Sequence, residues 1–411
     1  MLARRLAARW LIPVETAPIE HGALLIRGDG SLDAVGPDST VPHPPDIPAE
    51  KFDDAVILPG LINTHTHLEL TGFENPAPKH EFVGWIRCLR DLKTTRSPAE
   101  YVEAARRGLA ECYATGITTL ADTGDSGGAI QALAGAGASG IAYQEVFGLH
   151  PAEAEESLEQ LKQRVRELGH LAAGRLRIGV SPHAPYTVSG PLFRAVAEWA
   201  RAAGLPLAVH VAESRVETQF VLAGSGPFAE SWLARNIPLP SSRGRTPVQW
   251  LAEHGVLSKD ALCIHAVQLG PGDIRRLAHS GAAVAHCPVS NQMHGHGAAP
   301  LAALLQAGIR VGLGTDSVVS VGRLDLLAEA RAARALGSLS ADQAIELCTL
   351  AGARALGIDA ETGSLRQGKW ADCTIFRLPT RFGSVSEAVL ASSPQDVLRT
   401  FVGGREVHRA L

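Results

Sequence analysis

The chain has 411 residues, 45% hydrophobic and 19% charged, which matches ordinary soluble proteins and gives ample length for a large core. A formal net charge of -4 and only 5% aromatics offer no electrostatic footprint and no stacking platform for nucleic acid, and nothing attractive to an anionic membrane. No run approaches the roughly 18 apolar residues of a membrane span, and the short stretch Trp10-Leu11-Ile12 after Arg4, Arg5 and Arg9 is broken by Pro13 and Glu15, unlike a signal peptide.

A cytoplasmic protein is expected. Its six cysteines form no Cys-x-x-Cys pair and read as small buried apolar residues.

The first 57 residues read as short strands and turns. Ala23-Leu24-Leu25-Ile26 precedes the turn Gly28-Asp29-Gly30 and a second run from Leu32, and the proline-rich stretch 41–48 reads as an extended connector. From Val56 the pattern changes. Eight apolar runs follow: 57–66, 117–123, 140–148, 176–182, 205–212, 262–269, 282–288 and 311–316. Between them lie stretches with helical spacing that usually end in glycine. The interval after the fifth run also holds a Pro/Ser/Arg-rich insertion, 227–247. Eight strands alternating with helices predict an α/β fold, a distorted (β/α)8 barrel. A helical pair after Ser338 and strands after Gly363 close the chain. The expected organisation is a β-sandwich domain built from both chain ends, 1–57 and 361–411, beside a barrel spanning 58–360.

Active sites of such barrels lie at the C-terminal ends of the strands. The first run ends in His65-Thr66-His67, two residues that share a face of a strand. The fourth offers His183, the fifth His210 and Glu213, the sixth His265, and the eighth Asp316. His65, His67, His210 and Asp316 suit one divalent metal through nitrogen and oxygen, leaving a position for water whose pKa a bound zinc lowers to about 7. Asp316 is placed to accept a proton from that water, Glu213 to shuttle it to substrate and leaving group, and His265 to polarise the water. The fourth strand end carries Ser181-Pro182-His183, and the few lysines, Lys93 among them, are read as lying away from it. With no bridging side chain there, the site is expected to be mononuclear.

These residues, in this order, resemble the amidohydrolase superfamily over almost the whole chain. The joint set is the PG hinge at Pro59-Gly60, HTH at 65–67, HVAES at 210–214, IHAV at 264–267 and GTDS at 314–317. The resemblance to its deaminase branch implies metal ligation by His65, His67, His210 and Asp316, with Glu213 and His265 catalytic. A finer resemblance rests on HTHLEL at 65–70, the opening RWLIPVETAPIEHGALLI, FVGWIR at 82–87 and GSGPFAESWL at 224–233. It is to the aminodeoxyfutalosine deaminases, and it implies removal of the 6-amino group of an adenine nucleoside in menaquinone biosynthesis. Zinc is the expected metal, and iron and manganese tolerate the same ligands. The expected partner is a small nucleoside-like substrate, with no nucleic acid and no membrane, and a homodimer is compatible. Deaminases of S-adenosylhomocysteine, methylthioadenosine, guanine or pterins and triazine chlorohydrolases are alternatives within the superfamily. A non-catalytic metal-binding scaffold is the alternative of another class, against which the intact Glu213 and Asp316 argue.

His183 is read as a substrate hydrogen-bonder because the metal is already served. Glu69 reaches either the substrate or a backbone cap. Phe82 and Trp85 wall a pocket for a purine or form an ordinary lid core, and Phe228 and Trp232 in the insertion carry the same ambiguity. His294-Gly295-His296-Gly297 repeats the His-x-His spacing on a glycine-rich loop and is read as facing substrate, while His286 and Cys287 read as local packing. Arg215, Arg243, Arg245 and Arg323 have the donor fork for a substrate carboxylate but fit solvated surface better.

Overall fold

The computed structural model describes residues 3–73, 81–239 and 244–410; Arg243 and part of the 227–247 insertion lie outside them. Strands β1 (Arg4–Leu11), β2 (Ile19–Ile26), β3 (Leu32–Pro37) and β4 (Ala49–Pro59) come from the N-terminal stretch. The next segment supplies β5 (Leu61–Thr66), β6 (Ile117–Gly124), β7 (Ser139–Val146), β8 (Leu176–Pro182), β9 (Leu207–Val211), β10 (Ala261–His265), β11 (Ala283–His286) and β12 (Val311–Leu313). The tail adds β13 (Cys373–Arg377), β14 (Val397–Val402) and β15 (Arg405–Arg409).

Both chain ends build one seven-stranded mixed sheet, ordered β15-β14-β13-β4-β1-β2-β3. Its apolar core includes Leu6, Leu24, Ile57, Ile375 and Phe401, and a Ser31–Trp370 bridge adds a contact between the two chain ends. The other eight strands form a parallel sheet in sequence order from β5 to β12. A parallel bridge between Thr66 and Asp316 brings its two edges together into a barrel. The barrel strands are buried on both faces, as parallel strands covered by helices must be. Ile62, Ala121, Ile141, Ala208, Ile264 and Ala285 share one apolar cluster, while Leu120, Val180, Val209 and Val284 belong to the larger cluster that includes the helices.

The first expected run is two strands, not one. They divide at Gly60, with β4 in the mixed sheet and β5 in the barrel. A Cβ on Gly60 would lie 2.1 Å from Thr118 Oγ1, so only glycine makes this corner. Several strands end earlier than the apolar runs suggest. Ala212, His265, Ala266 and Asp316 have φ between 49° and 71°, a left-handed backbone that cannot continue a strand. Among the described residues, the helices with no counterpart in the reading of the sequence include Phe82–Lys93, Pro288–Met293, Val318–Val321, Leu326–Gly337 and Val385–Ala391. Cys112, Cys263, Cys287, Cys348 and Cys373 are buried free thiols. Among the described residues no helix is long and apolar enough to cross a membrane.

Candidate active site

Strand alternation explains part of the site directly. On β9 Ala208 belongs to the barrel's inner cluster, so His210 two residues later shares its face. On β5 the pairing register shifts between Asn63 and Thr66, the kind of irregularity that re-aims side chains at a barrel rim. His265 follows the inner-cluster residue Ile264, and its own φ of 71° turns the chain at that point. Asp316 sits past β12 with φ 58°, its backbone N–H donating to the His65 carbonyl at 3.0 Å. Such backbone costs on the order of 1–3 kcal/mol per residue and gathers at functional sites.

The rings converge. Centroids of His65 and His67 are 4.7 Å apart, and those of His65 and His210 are 4.9 Å apart. Asp316 Oδ1 lies 3.6 Å from Nε2 of both His65 and His67, and its Oδ2 accepts from Ser290 Oγ at 2.6 Å. His67 Nδ1 stands 2.8 Å from the Thr123 carbonyl. A carbonyl only accepts, so that nitrogen carries the proton and Nε2 keeps a lone pair. The same logic holds for His210, whose Nδ1 is 3.1 Å from the His183 carbonyl. Both ring nitrogens of the fully buried His65 lack any hydrogen-bond partner, and burial holds its pKa down at about 4. Burial alone would raise Asp316, but His65 and His67 outweigh it and keep the carboxyl well below the usual range. Neutral imidazoles with free lone pairs around one carboxylate, one of them orphaned in the interior, fit a divalent cation.

Glu213 is 5% exposed and sits beside this group. Its Oε1 is 3.6 Å from His265 Nε2 and 3.3 Å from His296 Nε2, and Oε2 accepts from the Tyr186 hydroxyl at 3.4 Å. Burial works to raise its pKa, but His265 and His296 prevail and lower it to about 2, which keeps the carboxylate ionised at neutral pH. The turn carrying it is fixed from below. The N–H groups of Ala212 and Glu213 both donate to the Glu217 carboxyl at 2.8 Å, and Ser214 caps the helix Arg215–Ala223. Asn291 Oδ1 lies 3.0 Å from His265 Nδ1 and fixes that ring.

His183 stands at the rim, its Nδ1 2.7 Å from Thr187 Oγ1 and its ring 4.6 Å from that of His210. Phe82 and Trp85 stack at 6.1 Å on the helix Phe82–Lys93. With Tyr186, Phe228 and the two loop histidines they form an aromatic wall: Tyr186 and Phe228 stack at 4.3 Å, Phe82 meets His296 at 4.5 Å, and Trp85 meets His294 at 4.5 Å. The glycine-rich loop read as facing substrate thus touches Glu213 through His296. Glu69 is 1% exposed and already engaged. Its carboxylate accepts from the Ser126 hydroxyl and from Ser126 N–H at 3.3 Å and lies 3.1 Å from Lys93 Nζ, an arrangement on the capping side of the two alternatives. Lys93 also pairs with Asp125 at the end of β6, so it comes closer to the rim than its place among the distant lysines implied. Cys287 lies in the barrel's inner cluster, and His286 is fully buried with both ring nitrogens without a partner. Arg215, Arg245 and Arg323 are exposed.

Reading the sequence missed Tyr186, Ser290, Asn291, Glu217 and the approach of Lys93. Ser290 and Asn291 had a signal. Pro288 closes the seventh run, and proline in a first helical turn announces a helix that aims its next residues back across the strand end.

The model of the amidohydrolase family matches residues 56–407. The chain is 32% identical over 375 residues, 88% of its length, to a 5-methylthioadenosine/S-adenosylhomocysteine deaminase of Moorella thermoacetica, covering 82% of that protein. It is 32% identical over 327 residues, 77% of its length, to an aminodeoxyfutalosine deaminase of Deinococcus radiodurans, covering 76% of that protein. The crystal structure of an adenosine deaminase from Xanthomonas campestris with bound zinc superposes with a TM-score of 0.85 at 23% identity, over 98% of this chain and 92% of the other, a likeness of fold. With a family match running from β4 to the last strand, the chain belongs to the amidohydrolase family.

Proposed function

We propose that the chain is a mononuclear, metal-dependent hydrolytic deaminase of adenine-bearing nucleosides, with 6-aminodeoxyfutalosine as its first candidate substrate. The observation that carries the reading is Glu213 set between His265 and His296, beside the converging His65, His67, His210 and Asp316. The deaminase names of the relatives support the same class.

His65, His67, His210 and Asp316 would hold one divalent cation, zinc first, which when bound supplies a Lewis acid and acidifies water. The protein's own groups do the rest. The wall of Phe82, Trp85, Tyr186 and Phe228 takes the flat heterocycle and excludes bulk water. Glu213 accepts the proton of the attacking water and delivers it to ring N1, making C6 electrophilic. Asp316 takes the second proton and passes it to the departing amino group. His265, aligned by Asn291, holds the developing oxygen at C6. Adenine and water become hypoxanthine and ammonia. His183 is assigned to the substrate beyond the ring. Glu69 acts through Lys93 as support for the wall.

The test is ammonia release by the metal-loaded protein from aminodeoxyfutalosine, 5′-methylthioadenosine, S-adenosylhomocysteine and adenosine. At least a tenfold higher kcat/KM for aminodeoxyfutalosine is expected. A preference for methylthioadenosine or S-adenosylhomocysteine would move the assignment to that activity, which the Moorella relative's name also favours. No ammonia from any of the four, with the metal bound in full, would sink the deaminase reading.

A further inference from the structure

The end of β7 presents two side chains that the mechanism above leaves unused. Ile141 and Tyr143 belong to the barrel's inner cluster. Glu145 continues that parity and turns to the barrel mouth, and Phe147, one residue past the strand, meets the His183 ring there. Glu145 is 4% exposed, and its Oε1 is buried with no hydrogen-bond partner. That atom lies 4.0 Å from His183 Nε2. Burial pushes the carboxyl well above the usual range, with Lys93 opposing. A buried carboxyl oxygen without a partner costs about 1–3 kcal/mol, and natural sites carry one when a ligand completes it.

Phe147 is the opposite case. It is 41% exposed, among the most exposed large apolar residues described, and its ring sits 4.9 Å from His183. The chain around it cannot withdraw. His183 N–H donates to the Val146 carbonyl at 3.2 Å, Gly148 N–H to Thr187 at 3.1 Å, and Ser189 N–H to Gly148 at 2.7 Å. Gly148 is closely packed as well: a Cβ there would lie 2.5 Å from Leu192 Cδ2, and that side chain would have to shift. Exposure therefore rises in steps from His210 and Glu145, both 4% exposed, through the half-buried His183, to Phe147 at 41%. A substrate whose reacting carbon lies beside His210 runs out along this path.

We infer that Glu145 and Phe147 are specificity-determining residues that read the part of the substrate beyond the heterocycle: Glu145 hydrogen-bonds a sugar hydroxyl, and Phe147 packs on an apolar 5′ substituent. The inference rests on the nucleoside reading above and names which nucleosides are preferred. A hydroxyl both donates and accepts, so it satisfies Glu145 Oε1 in either protonation state. The flat face of Phe147 gains from any apolar group laid against it.

The experiment measures deamination of adenosine, 2′,3′-dideoxyadenosine and 5′-phenylthio-5′-deoxyadenosine by the native protein, Glu145→Leu and Phe147→Ala. The same three compounds are titrated calorimetrically so that binding is read even without turnover. Glu145→Leu, which removes every polar atom of the side chain, should raise KM and Kd for adenosine by about 10–100-fold while leaving the dideoxy compound within about threefold. Phe147→Ala should lower kcat/KM for the phenylthio compound by about tenfold and leave adenosine unchanged. Native discrimination in binding without ammonia release would refute the deaminase reading yet keep this one. Equal losses on all three substrates would overturn it. So would loss of a second bound metal equivalent in Glu145→Leu, or a Phe147→Ala protein altered in oligomeric mass but not in kinetics.

Discussion

At the scale of single residues the proposed chemistry turns on Glu213. It is ionised because His265 and His296 face it, and it lies outside the group of His65, His67 and Asp316. Replacement by Gln keeps the shape and removes the proton carrier. A loss of about 10²–10⁴ in kcat is expected, with metal content measured by elemental analysis unchanged; near-full activity would reject the shuttle role. His65, His67, His210, Glu213, His265 and Asp316 were all legible in the sequence, because each stands within an apolar run or directly after one, and on β9 alternation from Ala208 aims His210 inward. His265 was legible by position only. Strand parity from Ile264 would turn it away from the mouth, and its left-handed backbone has no marker in a histidine. Tyr186 was not legible, since its role is a contact with a residue 27 positions away, and Asn291 was legible only as far as the helix that Pro288 opens.

At the scale of elements the site depends on how β12 meets β5 and on what holds the wall. Gly314 lies where the two edges join, and a Cβ there would fall 2.8 Å from His65 Cβ, 2.9 Å from His65 N and 3.0 Å from Cys287 Sγ. Gly314→Ala must push β5 aside, at a cost of about 1–3 kcal/mol. Because the displaced residue is His65, metal affinity measured by chelator competition should fall by about 10–100-fold; an unchanged affinity would show that the closure does not set the site. The helix Phe82–Lys93 presents the second case. Its last residue, Lys93, is fixed by Glu69 and Asp125, and Tyr101 donates its hydroxyl to the Lys93 carbonyl at 2.5 Å. Lys93→Met leaves the 1% exposed Glu69 side chain without its cation, a cost of about 3–5 kcal/mol. KM should rise as Phe82 and Trp85 loosen. The double variant with Glu69→Gln should recover part of the loss in denaturant unfolding, and no recovery would mean the pair is not what anchors the helix. The barrel strands were plain in the sequence because doubly buried parallel strands are continuous apolar runs. This helix was not, because Glu81 provides no side-chain cap and Gly84 interrupts its first turn.

At the scale of the whole molecule, the mixed sheet and the barrel share one chain path but are stitched by side chains far apart in sequence. That both ends join in one sheet was legible, since residues 1–57 read as short strands with no long helical period and the tail reads as strands again. The stitch was not, because its members are 197 positions apart. Asp372 has a fully buried side chain. It accepts from Arg175 Nη1 at 2.8 Å, from Arg175 Nη2, from Thr362 Oγ1 at 2.7 Å and from Gly403 N–H at 2.7 Å. Arg175 Nη2 also reaches Ser139 Oγ at 3.1 Å. Ser139 opens β7 and Arg175 directly precedes β8, so the cluster lies under the barrel at the face opposite the strand ends that carry the site. The Asp372 carbonyl receives Gly60 N–H at 2.9 Å, at the corner where the chain passes from sheet to barrel. Asp372→Ala strands the Arg175 cation and two donors, and a loss of about 3–5 kcal/mol in unfolding free energy follows. Since the site lies at the other face, kcat per folded, metal-loaded molecule at 25 °C should stay within about twofold of native. Calorimetry should show one transition moved down in temperature. If it instead split in two, with the barrel melting at its native temperature, the two parts would be independent, and Asp372 would serve the sheet alone.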